Sequence, residues 1–163
     1  MRIYSEKKTL KISKNYKPWI LILSRRYSIP SGVILAVLYK EMVQIDQMDV
    51  LADLAVLSGM TSKKDSSTGY GQIFGYVGLH AVNEAVQRGL TTYEKLGIQT
   101  DHVLSEEDPA DVRLVWKLLY SNKRANIEIS ALNILCCARE MEGHTDFASF
   151  SSEELELVLT RYN

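Results

Sequence analysis

A glutamate at the end of an apolar helical stripe is the residue of this sequence best placed to do chemistry. The stripe consists of Ile34, Val37 and Leu38, and Glu41 continues it after one more step of three residues. Positions three and four residues apart share one face of a helix. Either the helix ends there and Glu41 is solvated, or the carboxyl is held partly inside. In the second case desolvation raises its pKa, which suits a general acid that protonates a poor leaving group near neutral pH.

A polar, glycine-containing segment is the second place where chemistry is expected. It reads "DSSTGYGQIF", residues 65–74. Gly69 and Gly71 would let the backbone approach a ligand closely. Gln72 offers a donor and acceptors, which suit an acetamido group or the orientation of Glu41. The alternative is a plain surface turn that leads into the next helix. The other candidate binding residues of this segment are Ser67, Tyr70 and Ile73.

The elements that must position these residues are predicted to be helices, because apolar residues recur at helical spacing almost throughout. We expect a mainly α domain of seven or eight helices, with at most a minimal β-hairpin at "YGQIF" or "RIYSEKK". The first helix is predicted from Pro18 to about Arg26, which leaves residues 1–17 as an N-terminal extension. The glutamate helix is predicted from Ser31 to about Val43.

Several helix ends carry cap signals. Asp108 followed by Pro109 is typical of an N-cap and the first helical position. Ser151 and Glu154 have the spacing of a capping box, and Gly59 is typical of the residue that closes a helix. These signals predict helices that end at Gly59 and begin beside Asp108 and Ser151.

Composition bounds the classes of protein that fit. The 163 residues are predicted to form a single domain, 1–163. A net charge of -1 argues against a nucleic-acid binder. Cys136 and Cys137 are adjacent, so they form no disulfide framework, and the scattered histidines offer no metal-ligand spacing. No cofactor is therefore expected. The longest apolar run, Val33–Tyr39, is far shorter than the ~18 residues of a membrane span.

Four stretches, taken in order, resemble motifs of goose-type lysozymes and soluble lytic transglycosylases, members of the lysozyme-like superfamily. "IPSGVILAVLYKEM" is similar to their glutamate helix, with Glu41 at the catalytic position. "STGYGQIF" resembles their Gly-Leu-Met-Gln-Ile segment, and "ANIEISALNIL" resembles their Asn-Ile motif. "LTRYN" is similar to their last motif, in which Tyr162 would point at the glutamate; the alternative for Tyr162 is a core or rim aromatic.

Two departures from the family pattern stand out. Tyr70 and Gly71 replace the usual Leu-Met, so the floor of the expected cleft would differ in shape. The chain stops at Asn163, where family members continue. We therefore expect a lysozyme-like domain with a cleft. We also expect that its C-terminus is truncated and that the domain is cut from a longer chain.

The resemblance implies cleavage of the β-1,4 bond between N-acetylmuramic acid and N-acetylglucosamine in peptidoglycan, with Glu41 as the general acid. A hydrolase would use a second carboxylate to activate water; Asp65 is the preferred candidate. Asp46, Asp49 and Asp53 are predicted on solvated turns and helix faces. A lytic transglycosylase would need no second carboxylate, because Glu41 would take a proton from the C6 hydroxyl as a 1,6-anhydro ring closes.

Two other functions stay open at this stage: a lysozyme-like module that binds glycan or protein without cleavage, and a plain helical adaptor. The N-terminus has no apolar signal-peptide core. We therefore expect synthesis in the cytoplasm and delivery to the cell wall by another route, as for a phage lysin or an antibacterial toxin domain. A toxin domain would imply a protein inhibitor, an immunity protein, that fills the cleft.

Overall fold

The computed structural model describes residues 2–61 and 65–162, and over this part of the chain it is mainly α-helical, as predicted. Seven α-helices follow one another within the described ranges: α1 Glu6–Tyr27, α2 Ser31–Gln44, α3 Gln47–Ser58, α4 Gly75–Gln87, α5 Pro109–Ser121, α6 Lys123–Glu142 and α7 Ser152–Tyr162. The described β structure consists of two isolated bridges, Arg2 with Asp46 and Thr68 with Ile73. A short 3-10 turn, Glu94–Leu96, lies between α4 and α5.

Helix α6 is the centre of the molecule. Thirteen of its 20 residues are buried, and it packs against α1, α2, α4, α5 and α7. Its buried positions include the carboxylate of Glu128, which Arg26 contacts at 2.6 Å and to which the Tyr27 hydroxyl donates at 2.6 Å. A helix surrounded on all sides must pair every buried charge in this way, because an unpaired one would be strongly destabilising.

The predicted cap signals are confirmed. Asp108 accepts from the backbone N–H of Ala110 at 2.8 Å, and Pro109 is the first residue of α5. The backbone N–H of Ser151 donates to Glu154 at 2.6 Å, while that of Glu154 donates to the Ser151 hydroxyl at 3.2 Å. Local side-chain-to-backbone bonds of this kind depend on sequence spacing alone, which is why the sequence predicts them well.

The predicted start of the first helix is wrong. Helix α1 begins at Glu6, Ser5 caps it by accepting from the backbone N–H of Lys8 at 3.3 Å, and Pro18 lies inside it. Most of the predicted N-terminal extension is therefore helical. A proline within a helix costs about 3 kcal/mol. Helix α1 tolerates Pro18 because its first half is anchored on the core, through buried Thr9 and the side chain of Tyr16.

Helix α3 is oriented with its polar side inward. Its buried residues are Asp53 and Val56, while leucines and a valine face solvent. Its C-terminal residue is followed by Gly59 with φ +73, which closes the helix as predicted.

None of the helices within 2–61 and 65–162 combines the length and apolarity needed to cross a bilayer.

Candidate active site

A groove of about 1090 Å³ runs across one side of the molecule. One wall is formed by the end of α2 and the start of α3. Another part of the lining comes from residues 65–74, which we call the loop segment, together with the first turns of α4. Helices α6 and α7 contribute further surface through Asn133, Cys137, Glu140, Arg161 and Tyr162, and the loop before α5 contributes Glu106. The groove is therefore assembled from five helices and two loops.

Glu41 lies in the last turn of α2 and faces this groove. Glu41 is only 8% exposed, because it continues the apolar stripe that α2 buries against the core. Burial raises the pKa of the carboxyl above its ordinary value of 4.5, and the neighbouring Lys40 partly opposes this shift. A carboxyl that is partly dry keeps its proton at higher pH than one in water.

The loop segment is a tight hairpin. The backbone N–H of Thr68 donates to Ile73 at 3.1 Å, and that of Ile73 donates to Thr68 at 3.2 Å. Gln72, at the tip, has φ +47, a left-handed conformation that is uncommon for residues other than glycine. Its amide donates to the Gly69 carbonyl at 2.8 Å and accepts from the Ser67 hydroxyl at 3.3 Å. The amide of Gln72 thus orders the turn.

Asn126 of α6 anchors this hairpin. Its side-chain oxygen accepts from the backbone N–H of Gly71 at 2.9 Å. Its amide donates to the carbonyl oxygens of Thr68 at 3.1 Å and Leu119 at 3.3 Å. Asn126 belongs to the predicted Asn-Ile motif, and its buried position explains why an amide is needed there: it accepts from one backbone N–H and donates to two carbonyl oxygens, which an apolar side chain could not do.

The two glycines of the hairpin serve close packing against protein. A Cβ on Gly69 would overlap the side chain of Asn126, and one on Gly71 would overlap the hydroxyl of Ser130 and lie 2.8 Å from that of Tyr162. That these glycines also let a ligand approach the backbone stays a prediction. What approaches both of them is α6.

Helix α3 holds the hairpin from the other side through Asp53. Its carboxylate accepts from the Ser66 hydroxyl at 2.6 Å and from the Thr68 hydroxyl at 2.7 Å. Burial raises the pKa of Asp53, and these two hydroxyls oppose the shift. The prediction that Asp53 is solvated is wrong, because the loop segment covers it. Trp116 of α5 adds a bond from its ring N–H to the Ser66 carbonyl at 3.1 Å.

Tyr162, near the end of α7, completes the groove. Its hydroxyl donates to the Gly71 carbonyl at 2.9 Å, and its ring lines the groove together with Glu41. Burial is the main cause that raises its pKa, and the negative charge of Glu41 adds to the effect. Tyr162 is therefore a neutral donor that ties the far end of the chain to the hairpin.

The structure brings together five of the nine candidate residues and separates the rest. The groove lining includes Glu41, Ser67, Gln72, Ile73 and Tyr162. Gly69 and Tyr70 line a smaller cavity of about 180 Å³ on the other side of the hairpin. There the Tyr70 ring packs edge-on against those of Tyr4 and Tyr16. Gly71 is buried beneath the tip.

Asp65 is placed at the start of α4. Its carboxylate accepts from the backbone N–H of Tyr76 at 3.2 Å, which satisfies one of the free donors of a helix N-terminus. It is not among the described residues that line the groove. The structure therefore does not bring Asp65 and Glu41 into one site.

A polar cluster in the groove escaped the sequence analysis. His80 Nδ1 lies 3.0 Å from Glu106 Oε1, and His80 Nε2 lies 3.8 Å from Glu140 Oε1. Arg161 pairs with Glu140 at 2.9 Å. These residues come from three helices and a loop, so no local spacing signals them. Within the part of the chain that the structure describes, no group of three or more ligating side chains could hold a metal ion.

The chain matches no protein-family model, and neither a curated protein nor a solved structure matches it. The geometry of the groove therefore carries the functional argument.

Proposed function

We propose that the protein is a peptidoglycan-cleaving muramidase of lysozyme-like type, with Glu41 as its general acid. The observation that carries the proposal is a carboxyl only 8% exposed, with its pKa raised by burial, on the wall of a groove of about 1090 Å³. A proton held there can be delivered to the oxygen of a glycosidic bond. The same groove lining includes Ser67 and Gln72, which can contact a sugar.

After protonation of the glycosidic oxygen, the reaction can continue by hydrolysis or by formation of an anhydro ring. We propose the second route, that of a lytic transglycosylase. Hydrolysis with inversion needs a second carboxylate that activates water. Asp65 caps α4, and Asp46 and Asp49, although they line the groove, accept backbone N–H groups in the capping box of α3. The transglycosylase route uses Glu41 twice: it first gives its proton to the leaving oxygen and then accepts one from the C6 hydroxyl of the same muramyl residue. The products are a 1,6-anhydromuramyl end and a free N-acetylglucosamine end.

The test of the proposal is the clearing of purified peptidoglycan by wild type and Glu41→Gln. The glutamine keeps the size and removes the transferable proton, so we expect a loss of about 10²-fold or more in rate. Glu107→Gln is the matched control, since Glu107 is exposed and does not line the groove; it should clear like wild type. Equal clearing by Glu41→Gln would rule out the general-acid role.

Mass spectrometry of the released muropeptides distinguishes the two routes. Anhydro ends are expected from wild type, and Asp65→Asn should release the same products at a similar rate, because Asp65 serves α4. Reducing muramyl ends would instead establish a hydrolase. If wild-type protein clears no peptidoglycan between about pH 4 and about pH 8, the non-cleaving binding module becomes the better interpretation.

The proposed substrate also implies where the protein acts and what could restrain it. Glycan strands are a polymer of the cell wall, so we propose that the protein reaches that compartment after delivery, as a lysin or toxin domain does. A protein inhibitor would then act by filling the groove and covering Glu41. A cognate inhibitor, if co-expressed, should protect the groove residues Gln72 and Tyr162 from hydrogen exchange and chemical labelling.

A further inference from the structure

The solvent-facing side of α3 is mostly apolar. Leu51, Leu54 and Leu57 are 57%, 46% and 44% exposed, and Val50 lies beside them at 40%. We call these four residues the α3 face. They recur at three- and four-residue steps, so they form one continuous stripe. Globular helices normally turn such a stripe toward the core.

The inversion follows from what the other side of α3 must do. Asp53 faces inward because it holds Ser66 and Thr68 of the loop segment, and Asp49 turns back to the N-terminus of its own helix. These are the only two charged residues of α3. The α3 face therefore carries no charge, and α3 packs extensively against none of the other described helices.

Two cationic side chains, Lys8 and Lys123, lie near the Val50 edge of this face. Tyr4 and Val50 line the same small cavity, together with Lys123. The ammonium of Lys8 lies 4.6 Å from the centre of the Tyr4 ring, and that of Lys123 lies 5.3 Å from the centre of the Tyr70 ring. Helix α1 begins two residues after Tyr4, and its first half carries a series of exposed lysines: Lys7, Lys8, Lys11, Lys14 and Lys17.

We propose that the α3 face and the lysines of α1 dock the protein on an anionic lipid surface. A short, uncharged apolar helix face beside clustered lysines is the combination that binds the interface of an anionic bilayer: the apolar side chains enter the boundary layer, and the lysines meet the headgroups. A second copy of this chain fits less well, because pairing two α3 faces would bring two lysine-rich helices together.

Docking would also fix the orientation of the groove. The first turn of α3 supplies Met48 and Asp49 to the groove lining, so the groove opens beside the bilayer-facing surface. The lipid-docking proposal does not depend on the glycan chemistry. Glu41→Gln should bind vesicles like wild type, which separates a failure of this inference from a failure of the proposed muramidase activity.

The test is co-sedimentation of the full chain with phosphatidylcholine vesicles, with and without phosphatidylglycerol. We expect binding to the anionic vesicles that weakens as salt is added. Leu54→Asp should lower the partition coefficient about tenfold or more, since it removes one inserted leucine and adds a negative charge. Val103→Asp is the matched control, because Val103 is 80% exposed on a loop that supplies no residue to the α3 face; it should bind like wild type.

The lysines are tested separately. Lys7→Gln and Lys11→Gln should each lower the partition about fivefold and reduce its salt dependence. Circular dichroism checks that every variant is folded. Absence of binding to anionic vesicles at low salt would overturn the proposal, and so would equal binding by Leu54→Asp. A concentration-dependent dimer, seen by analytical ultracentrifugation and abolished by Leu54→Asp, would assign the face to a second copy instead.

Discussion

Two buried carboxyls show how one physical cause serves different ends. Burial raises the pKa of both Glu41 and Asp53. Asp53 accepts from the hydroxyls of Ser66 and Thr68, and these bonds hold the loop segment against α3. Glu41 faces a groove large enough for a polymer. A raised pKa therefore does not identify a proton donor unless the carboxyl also faces a place where a substrate can lie.

The raised pKa of Glu41 predicts a pH-dependent effect on stability. Native protein binds this proton more tightly than the unfolded chain, so the stabilisation is complete below the ordinary value of 4.5 and is lost as pH rises through the raised native value. Glu41→Gln cannot ionise. Relative to wild type, it should gain thermal stability between about pH 4 and about pH 8. A difference in melting temperature that is equal at both pH values would contradict the shift.

Gly71 is expected to accept no larger side chain. In Gly71→Ala the new methyl group would overlap the Ser130 hydroxyl and crowd that of Tyr162. Overpacking of this kind costs about 1–3 kcal/mol, so urea should unfold the variant at lower concentration. Gly32→Ala is the control: a Cβ there meets nothing within 4 Å, and alanine is the better helix former. Equal stability of the two variants would show that the tip of the hairpin is free to move.

At the scale of elements, the loop segment is supported from several helices at once. Asn126 of α6, Asp53 of α3 and Trp116 of α5 each bond to it. The hairpin itself has only one short bridge. Its shape is therefore set by its neighbours. Loss of a single anchor should increase local opening of the hairpin more than it increases global unfolding.

Asn126→Ala tests this support. It leaves the buried N–H of Gly71 without a partner, which costs about 1–3 kcal/mol, and it removes one of the two donors to the Thr68 carbonyl. We expect faster hydrogen exchange in residues 66–73. The matched control is Asn83→Ala, which removes a different side-chain anchor, bonded to Leu104 and Tyr93, and should loosen residues 93–104 instead. The same exchange pattern in both variants would argue against local anchoring.

Elements were predictable from sequence where a short spacing determines them. The Asp108 cap and the Ser151–Glu154 box needed no knowledge of the fold. The partners of the loop segment were not predictable, because Gly71 and Tyr162 are 91 residues apart. Pro18 misled the prediction for a related reason: the packing that keeps α1 helical through it comes from distant residues.

At the scale of the whole molecule, α6 and α3 are opposites. Helix α6 is surrounded by five other helices, and its burial on all sides leaves little amphipathic signal in its sequence. Helix α3 has an apolar stripe that a sequence reader would assign to the core. The all-α class could be predicted from the spacing of apolar residues. The orientation of α3 could not, because an apolar stripe does not show that the opposite, polar side of the helix must face inward to hold the loop segment.

This contrast predicts the order in which the molecule opens. Amide hydrogens of α6 should exchange most slowly, near the rate set by global unfolding, and those of α3 should exchange much faster. Native-state hydrogen exchange with mass spectrometry measures both. Anionic vesicles should slow the exchange of α3 and leave that of α6 unchanged. Uniform protection of the two helices would contradict the picture of a firm centre with a lightly held α3.

The bond between Tyr162 and the carbonyl of Gly71 has a consequence for biosynthesis. A ribosome translates from the amino end, so Glu41 and the hairpin leave the exit tunnel long before Tyr162, whose hydroxyl secures the hairpin. In the nascent chain the hairpin therefore lacks the hydrogen bond from Tyr162. The groove therefore reaches its final form only after α7 has been synthesised and has packed beside the hairpin.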